Sequence, residues 1–242
     1  MTLLEVENLD VHHGQLHAVR GFSLSVEPGA TVAVIGANGA GKSTLMRAIA
    51  GSHLPTAGSI RLDGKDITRL PAHRRVVQGI SLVPEGRRLF KSLSVQENLE
   101  TGTYRAGTGP WNVHAVMELF PWMRERARQN SASLSGGQQQ AVAIGRALVA
   151  NPKVLLIDEL SLGLAPAVVK QMYALLPRIV ERGTAVLLVE QDVSQALAAA
   201  DLVHCLLEGR TVLTGSPHDL TSAQVEQAYF GLAHAGGGPE GN

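Results

Sequence analysis

The sequence predicts an α/β fold built on a largely parallel sheet, and three observations point to it. Short, continuous apolar runs recur at Thr31–Ile35, Ile80–Val83, Val154–Ile157, Ala185–Val189 and Leu202–Leu207. Helix-like stretches separate them, the pattern of strands buried on both faces of a sheet. At 242 residues the chain can hold one large core, or a core with a smaller subdomain, because single cores stop growing near ~250–300 residues.

The opening segment reads as sheet of a different kind. Phe22, Leu24 and Val26 alternate with Ser23, Ser25 and Glu27 before the turn signal Pro28-Gly29, the period of a strand with one buried face. Between Ser94 and Ala150 the pattern becomes helical, starting at the capping box Ser94-Val95-Gln96-Glu97 and passing through Val113–Arg128. A helical lobe is thus expected between strands. The stretch 235–242, Ala-Gly-Gly-Gly-Pro-Glu-Gly-Asn, has nothing to bury, and a mobile tail is expected there.

Composition narrows the function classes. Lys and Arg number 21 and so do Asp and Glu, so there is no basic field to attract phosphodiester backbones, and nucleic-acid binding is disfavoured. The single cysteine, Cys205, lies in an apolar run and reads as a small buried thiol, which leaves no disulfide framework. The first residues lack the basic and apolar regions of a signal peptide, and the apolar runs fall well short of the ~20 residues of a spanning helix. A cytoplasmic protein that meets any membrane through a partner is expected.

The chemistry begins at Gly36-Ala37-Asn38-Gly39-Ala40-Gly41-Lys42-Ser43-Thr44, which fits G-x-x-x-x-G-K-[ST] between the strand Thr31–Ile35 and a helix Thr44–Ala50. Glycines let successive N–H groups curl around a phosphate, and the helix N-terminus adds positive potential. Lys42 supplies a point charge to the β/γ-phosphates, and Ser43 a ligand for Mg²⁺. A second apolar strand ends in Asp158-Glu159. A phosphate loop needs one acid there to hold Mg²⁺, the role of Asp158, and another to orient or deprotonate water, the role of Glu159. A third motif, Leu134-Ser135-Gly136-Gly137-Gln138, precedes a helix expected over Gln139–Ala150. Ser135 and Gln138 form a capping box, and the glycine pair leaves the helix N-terminus bare enough for a phosphate to approach.

In this order the motifs resemble the ATP-binding subunits of ABC transporters, from about Leu4 to Gly231. The resemblance implies a P-loop NTPase (RecA-like) core with an N-terminal antiparallel β subdomain and an inserted α-helical subdomain near residues 90–150. The ATPase domain would span 1–234. ATP and Mg²⁺ are the implied ligands, held by Gly36, Asn38, Gly39, Gly41, Lys42, Ser43 and Thr44. Ser135, Gly136, Gly137 and Gln138 would act in trans, capping the γ-phosphate of a second ATPase subunit as two chains close head to tail. Ser161-Leu162-Gly163-Leu164 falls where the family has the D-loop that crosses this interface. The implied partners are that second subunit (the same chain or a longer paralogue), integral-membrane permease subunits and, indirectly, an external solute-binding protein. They would place the chain on the inner face of the cell membrane.

Val83-Pro84-Glu85-Gly86-Arg87-Arg88-Leu89-Phe90, Leu187 to Gln191 and Ala228-Tyr229-Phe230-Gly231 resemble one branch, the shorter ATPase of branched-chain amino-acid importers. Urea or amide importers are the alternative branch, and a soluble ABC ATPase outside transport is a second alternative. There are departures from the family pattern. Glu85 stands where most transporter ATPases have a glutamine that touches Mg²⁺, so it joins Ser43 and Asp158 as a metal-site candidate; a solvated loop acid is the other reading. Gln191 replaces the switch histidine near the γ-phosphate; it can donate a hydrogen bond but carries no charge, leaving hydrolysis more dependent on Glu159. His12 or His13 falls where an aromatic stacks on adenine, with His13 the candidate, and Leu160 replaces a frequent proline. Arg87 and Arg88 would either grip a permease segment or be solvated, and Arg146 would face either ATP or solvent.

Overall fold

The structure, a computed structural model, describes residues 2–104 and 107–231. The expected tail at 235–242 lies outside the described residues. β1 (Leu4–His13) turns at Gly14 into β2 (Leu16–Val26). Its buried side chains are Leu4, Val6, Leu9 and Val11, a period-2 series that slips by one residue at Asn8. Asn8 takes φ 47° and the register with β2 shifts between Val6 and Leu9, so a bulge returns Leu9 and Val11 to the buried face.

After the Pro28-Gly29 turn come β3 (Thr31–Ile35) and α1 (Lys42–Ala50). β4 (Ala57–Leu62) and the two-residue β5 (Lys65–Asp66) then return to complete an antiparallel sheet of order β2-β1-β4-β5. α2 (Ala72–Gln78) leads into β6 (Ile80–Val83). Arg75 of α2 is wholly buried and donates to Ala48 O and Ile49 O at the end of α1, and to Thr68 O and Leu70 O, at 2.7–2.8 Å. Its planar fork fastens the C-terminal end of α1 to the chain between β5 and α2.

The helical insertion lies between β6 and β7: α3 (Val95–Thr101), α4 (Val113–Leu119), α5 (Trp122–Glu125) and α6 (Gly136–Leu148), followed by β7 (Val154–Asp158). Both hydrogen bonds of the capping box at Ser94 are formed. The helical stretch expected through Val113–Arg128 holds two helices, because Pro121 has no N–H to continue α4 and drives Phe120 to φ −125°, ψ 78°. α6 starts three residues earlier than expected and ends at Leu148, so Gly136 and Gly137 form its first turn.

The chain closes with α7 (Pro166–Tyr173), α8 (Leu176–Glu181), β8 (Ala185–Glu190), α9 (Val193–Ala199), β9 (Leu202–Leu207), β10 (Arg210–Gly215) and α10 (Ser222–Phe230). The second sheet has the order β10-β9-β3-β8-β7-β6, parallel except where β10 pairs with β9. Alternate residues of its strands feed two cores. Val32, Val34, Leu156, Leu187 and Val189 pack with α1 and the first sheet, while Ala33, Ile35, Leu155, Ile157 and Leu188 pack with the helical insertion and the C-terminal helices. Burial on both faces is why these strands have unbroken apolar sequences. The architecture is an α/β core with an N-terminal antiparallel β sheet and an inserted set of helices, as the sequence predicts. Among the described residues, no helix is long and apolar enough to cross a membrane.

Candidate functional site

β3, β8, β7 and β6 are parallel neighbours, so their C-terminal ends open on one edge of the sheet, where such folds place ligands. Gly36 follows β3, Gln191 follows β8, Asp158 ends β7 with Glu159 next, and Glu85 lies two residues beyond β6. Residues from four distant parts of the chain are thereby gathered. A cleft of about 700 Å³ at this edge is lined by His13, Asn38, Gly39, Gly41, Lys42, Ser43, Thr44, Glu85, Glu159 and Gln191.

The loop of residues 36–41 has no room for side chains at two points. A Cβ on Gly36 would come within 2.3 Å of Leu206 O, and one on Gly41 within 2.3 Å of Ala18 O, where φ is also 106°. Lys42 opens α1 and is only 4% exposed; its Nζ donates to Gly36 O at 2.8 Å and Ala37 O at 3.1 Å. Burial lowers the Lys42 pKa, while the surrounding charges of Glu159, Asp158, Glu190 and Glu85 act to raise it.

Ser43 Oγ donates to Asp158 Oδ1 at 3.0 Å, and Asp158 is buried. Burial raises the Asp158 carboxyl pKa against the lowering by Ser43, and the Glu85 charge raises it further. Glu159 is also raised, first by burial; Lys42, with Nζ 3.9 Å from Oε1, opposes this. Glu159 sits at φ 56°, a left-handed conformation, with its N–H bonded to Val189 O at 3.1 Å. Glu159, Asp158, Glu190 and Glu85 are thus all near enough to Lys42 for their charges to act on it.

Of the two histidines, His13 lines the cleft, with Nε2 3.1 Å from Thr44 Oγ1. His12 instead stacks on His17 at 4.0 Å and places Nδ1 2.9 Å from Thr56 Oγ1. Gln191 is on the cleft wall, and its carbonyl accepts from the Tyr229 hydroxyl of α10 at 3.4 Å.

Ser135, Gly136, Gly137 and Gln138 are not among the described residues lining this cleft. They form the N-terminus of α6, where Ser135 Oγ accepts from Gln138 N and Gln138 Oε1 from Ser135 N. A Cβ on Gly136 would be 3.2 Å from Arg87 Nη2, and one on Gly137 2.4 Å from Val168 Cγ1. Arg87 belongs to a turn in which Gly86, Arg87 and Arg88 all have positive φ, at 74°, 66° and 47°. Arg146 of α6 is half-buried and is not among the described residues lining the cleft. It donates to Arg88 O at 2.8 Å and Arg87 O at 3.2 Å, with its guanidinium over the Phe90 ring.

The sequence reading missed Glu190, which ends an apolar strand just as Asp158 does and so carried the same signal. It also missed His17, Ala18, Arg20 and Glu208 on the cleft wall, brought there by the β1–β2 hairpin and the β9–β10 turn.

A phosphate loop at a parallel strand end, faced by paired acids, defines a P-loop nucleotide triphosphatase. A family model described as ABC transporter matches residues 19–161. The chain belongs to the ABC transporter family, as an ATP-binding subunit that hydrolyses ATP. It is 42% identical over 233 residues to the high-affinity branched-chain amino acid transport ATP-binding protein BraG of Pseudomonas aeruginosa, covering 95% of this chain and 100% of that one. It is 31% identical over 255 residues to BraF of the same organism, a protein of the same description, covering 96% and 98%. Among solved structures it is similar to a nucleotide-free ATP-binding cassette of an ABC transporter (TM-score 0.83, 26% identity, 94% and 95% coverage). A cassette in its ADP conformation gives a TM-score of 0.81 at 27% identity, covering 94% of each chain.

Proposed function

We propose that this chain is the ATP-hydrolysing subunit of an importer of branched-chain amino acids, attached to permease subunits on the inner face of the cell membrane. The observation that carries the cargo is the likeness to BraG along the whole of that protein's length; the array at the strand ends supports the chemistry. Gly36, Asn38, Gly39 and Gly41 shape a loop that wraps the phosphates, with Lys42 as the charge at the β/γ-phosphates and Thr44 and His13 toward the rest of the nucleotide. Ser43 and Asp158 would hold Mg²⁺, with Glu85 beside them. Two hard oxygen donors 3.0 Å apart in a site of excess negative charge suit that ion, which takes one or two carboxylates together with phosphate oxygens. When bound, Mg²⁺ neutralises charge on the phosphates. Glu159 orients the attacking water and takes its proton, a role favoured by a pKa raised toward the working pH. Gln191 donates a hydrogen bond at the γ-phosphate.

In this reading Ser135, Gly136, Gly137 and Gln138 meet the ATP of a second ATPase subunit, either another copy or a longer paralogue, and an external binding protein selects the solute. Their position away from this chain's own cleft supports action in trans. The test is to purify the tagged chain from native membranes with its associated subunits and measure ATPase with the binding protein and individual solutes. Stimulation by branched-chain amino acids is expected, with Glu159→Gln keeping ATP binding and losing ~10²–10⁴ in turnover. Stimulation by urea or amides in their place would overturn the cargo, and unchanged turnover in Glu159→Gln would remove that residue from its role.

A further inference from the structure

Glu190 is 1% exposed, and among the described residues its carboxylate forms no ion pair. Burying a carboxylate is costly unless donors satisfy it, and here the backbone and serine donors come from the two loops that flank the cleft, with the Tyr173 hydroxyl of α7, its pKa raised by burial and then by the Glu190 charge, also beside it. Ser161 donates from its N–H to Oε1 at 3.1 Å and from its hydroxyl to Oε2 at 2.9 Å; the Gln191 N–H reaches Oε2 at 3.3 Å. The segment after β7 is therefore held at two points by the end of β8: Glu159 N–H on Val189 O at 3.1 Å, and Ser161 on Glu190. Between these points the backbone at Glu159 is left-handed, φ 56°, a conformation that persists in a residue with a Cβ when its surroundings enforce it. Leu160, the intervening side chain, is buried.

We propose that Glu190 is a positioning residue for hydrolysis: its carboxylate clamps Ser161, thereby fixing the direction of the Glu159 carboxylate and tying the 161–164 segment to the Gln191 switch. This rests on the reading of Glu159 as the group that orients water. The clamp has the geometry for the task. Register places Ile35 of β3 directly beside Glu190, so one buried acid refers both loops to the strand that carries the phosphate loop. Misplacement of a reacting group by about 1 Å can cost on the order of 10²-fold in rate while leaving substrate binding intact.

The test uses the full chain with its associated subunits. Glu190→Gln keeps the volume but loses one acceptor and the charge; turnover should fall by about 10²-fold with the KM for ATP nearly unchanged. In a Glu159→Gln background the same change should add nothing, because Glu190 acts through Glu159. Ser161→Ala, which deletes one donor at a half-exposed position, should lower turnover in the same direction, and the double variant should be no worse than Glu190→Gln alone. A raised KM with unchanged turnover, or a loss that multiplies with that of Glu159→Gln, overturns the clamp. So does full activity in Glu190→Gln beside an inactive Glu159→Gln, whereas full activity in Glu159→Gln itself rejects the underlying role of Glu159.

Discussion

Arg146→Met should release the turn of residues 86–88 without unfolding the protein. Arg146 holds that turn by two hydrogen bonds, to Arg88 O at 2.8 Å and Arg87 O at 3.2 Å. Bonds from a charged donor contribute about 1.5–3 kcal/mol each. Burial, which also lowers the Arg146 pKa, puts them at the low end, for about 3 kcal/mol together. Against this stand two residues with side chains in left-handed conformations, Arg87 and Arg88, at about 1–2 kcal/mol each. The two effects are nearly equal, so the turn keeps its shape only while the clamp is present. Methionine fills the space but donates nothing. The Arg87 and Arg88 amides, bonded to Pro84 O at 3.2 Å and Gly86 O at 2.6 Å, should then lose about 10²-fold in hydrogen-exchange protection, the equivalent of ~3 kcal/mol. The other end of the loop should stay protected, because the buried Asn98 side chain pairs with both N–H and C=O of Phe90 at 3.0 Å. Arg88→Gly in the same background should recover about tenfold by removing one strained residue. Wild-type protection in Arg146→Met, or no recovery with glycine, would refute the balance.

Gly41→Ala places a Cβ 2.3 Å from Ala18 O at φ 106°; it should cost about 2–4 kcal/mol in stability and weaken ATP binding more than tenfold, and wild-type affinity in a nucleotide titration would contradict it. Arg75→Met removes a fully buried cation and its four hydrogen bonds to carbonyls, and urea denaturation should report a loss of about 3–5 kcal/mol; a loss under about 1 kcal/mol would show that those carbonyls are satisfied otherwise. His204 is buried against Phe22, and burial pushes its pKa down from 6.5 to about 4. Because the unfolded chain takes up the proton first, stability should be intact above pH 6.5 and fall as pH drops toward 4, by about 3 kcal/mol in all. Urea midpoints between pH 7.5 and 4.5 should lose part of that slope in His204→Gln, and an unchanged slope would assign it to other groups.

What was legible in the sequence follows from how local each cause is. The five parallel strands show as apolar runs because both faces of each are largely buried. β1 does not show, since the Asn8 bulge shifts the alternation midway, and β10 does not because it is an exposed edge strand. The break between α4 and α5 is legible in Phe120-Pro121, because it depends on a proline adjacent in sequence. In the site, the phosphate loop is contiguous and therefore readable, whereas Glu190 matters through the order of strands, which puts β8 between β3 and β7. Arg146 is a similar case, as its partners lie 58 and 59 residues away.

The backbone carries a second signal, independent of the motifs. Left-handed residues other than glycine divide by type. Asn8, Asp63 and Asn151 are of the short polar kind that adopts this conformation at little cost. Glu159, Arg87, Arg88 and Glu208 are not. Glu159 and Glu208 line the cleft, and Arg87 and Arg88, which do not, come two and three residues after Glu85, which does. Strain of this sort survives where surrounding structure enforces it and function retains it. At each of three of these positions a specific restraint is visible: Val189 O on Glu159, and Arg146 on the carbonyls of Arg87 and Arg88. The local rules of sequence therefore fail in the cleft and in the turn that follows Glu85, and the contacts that hold these residues there come from β8 and α6, the elements that carry Glu190 and the glycine pair of the Ser135–Gln138 motif.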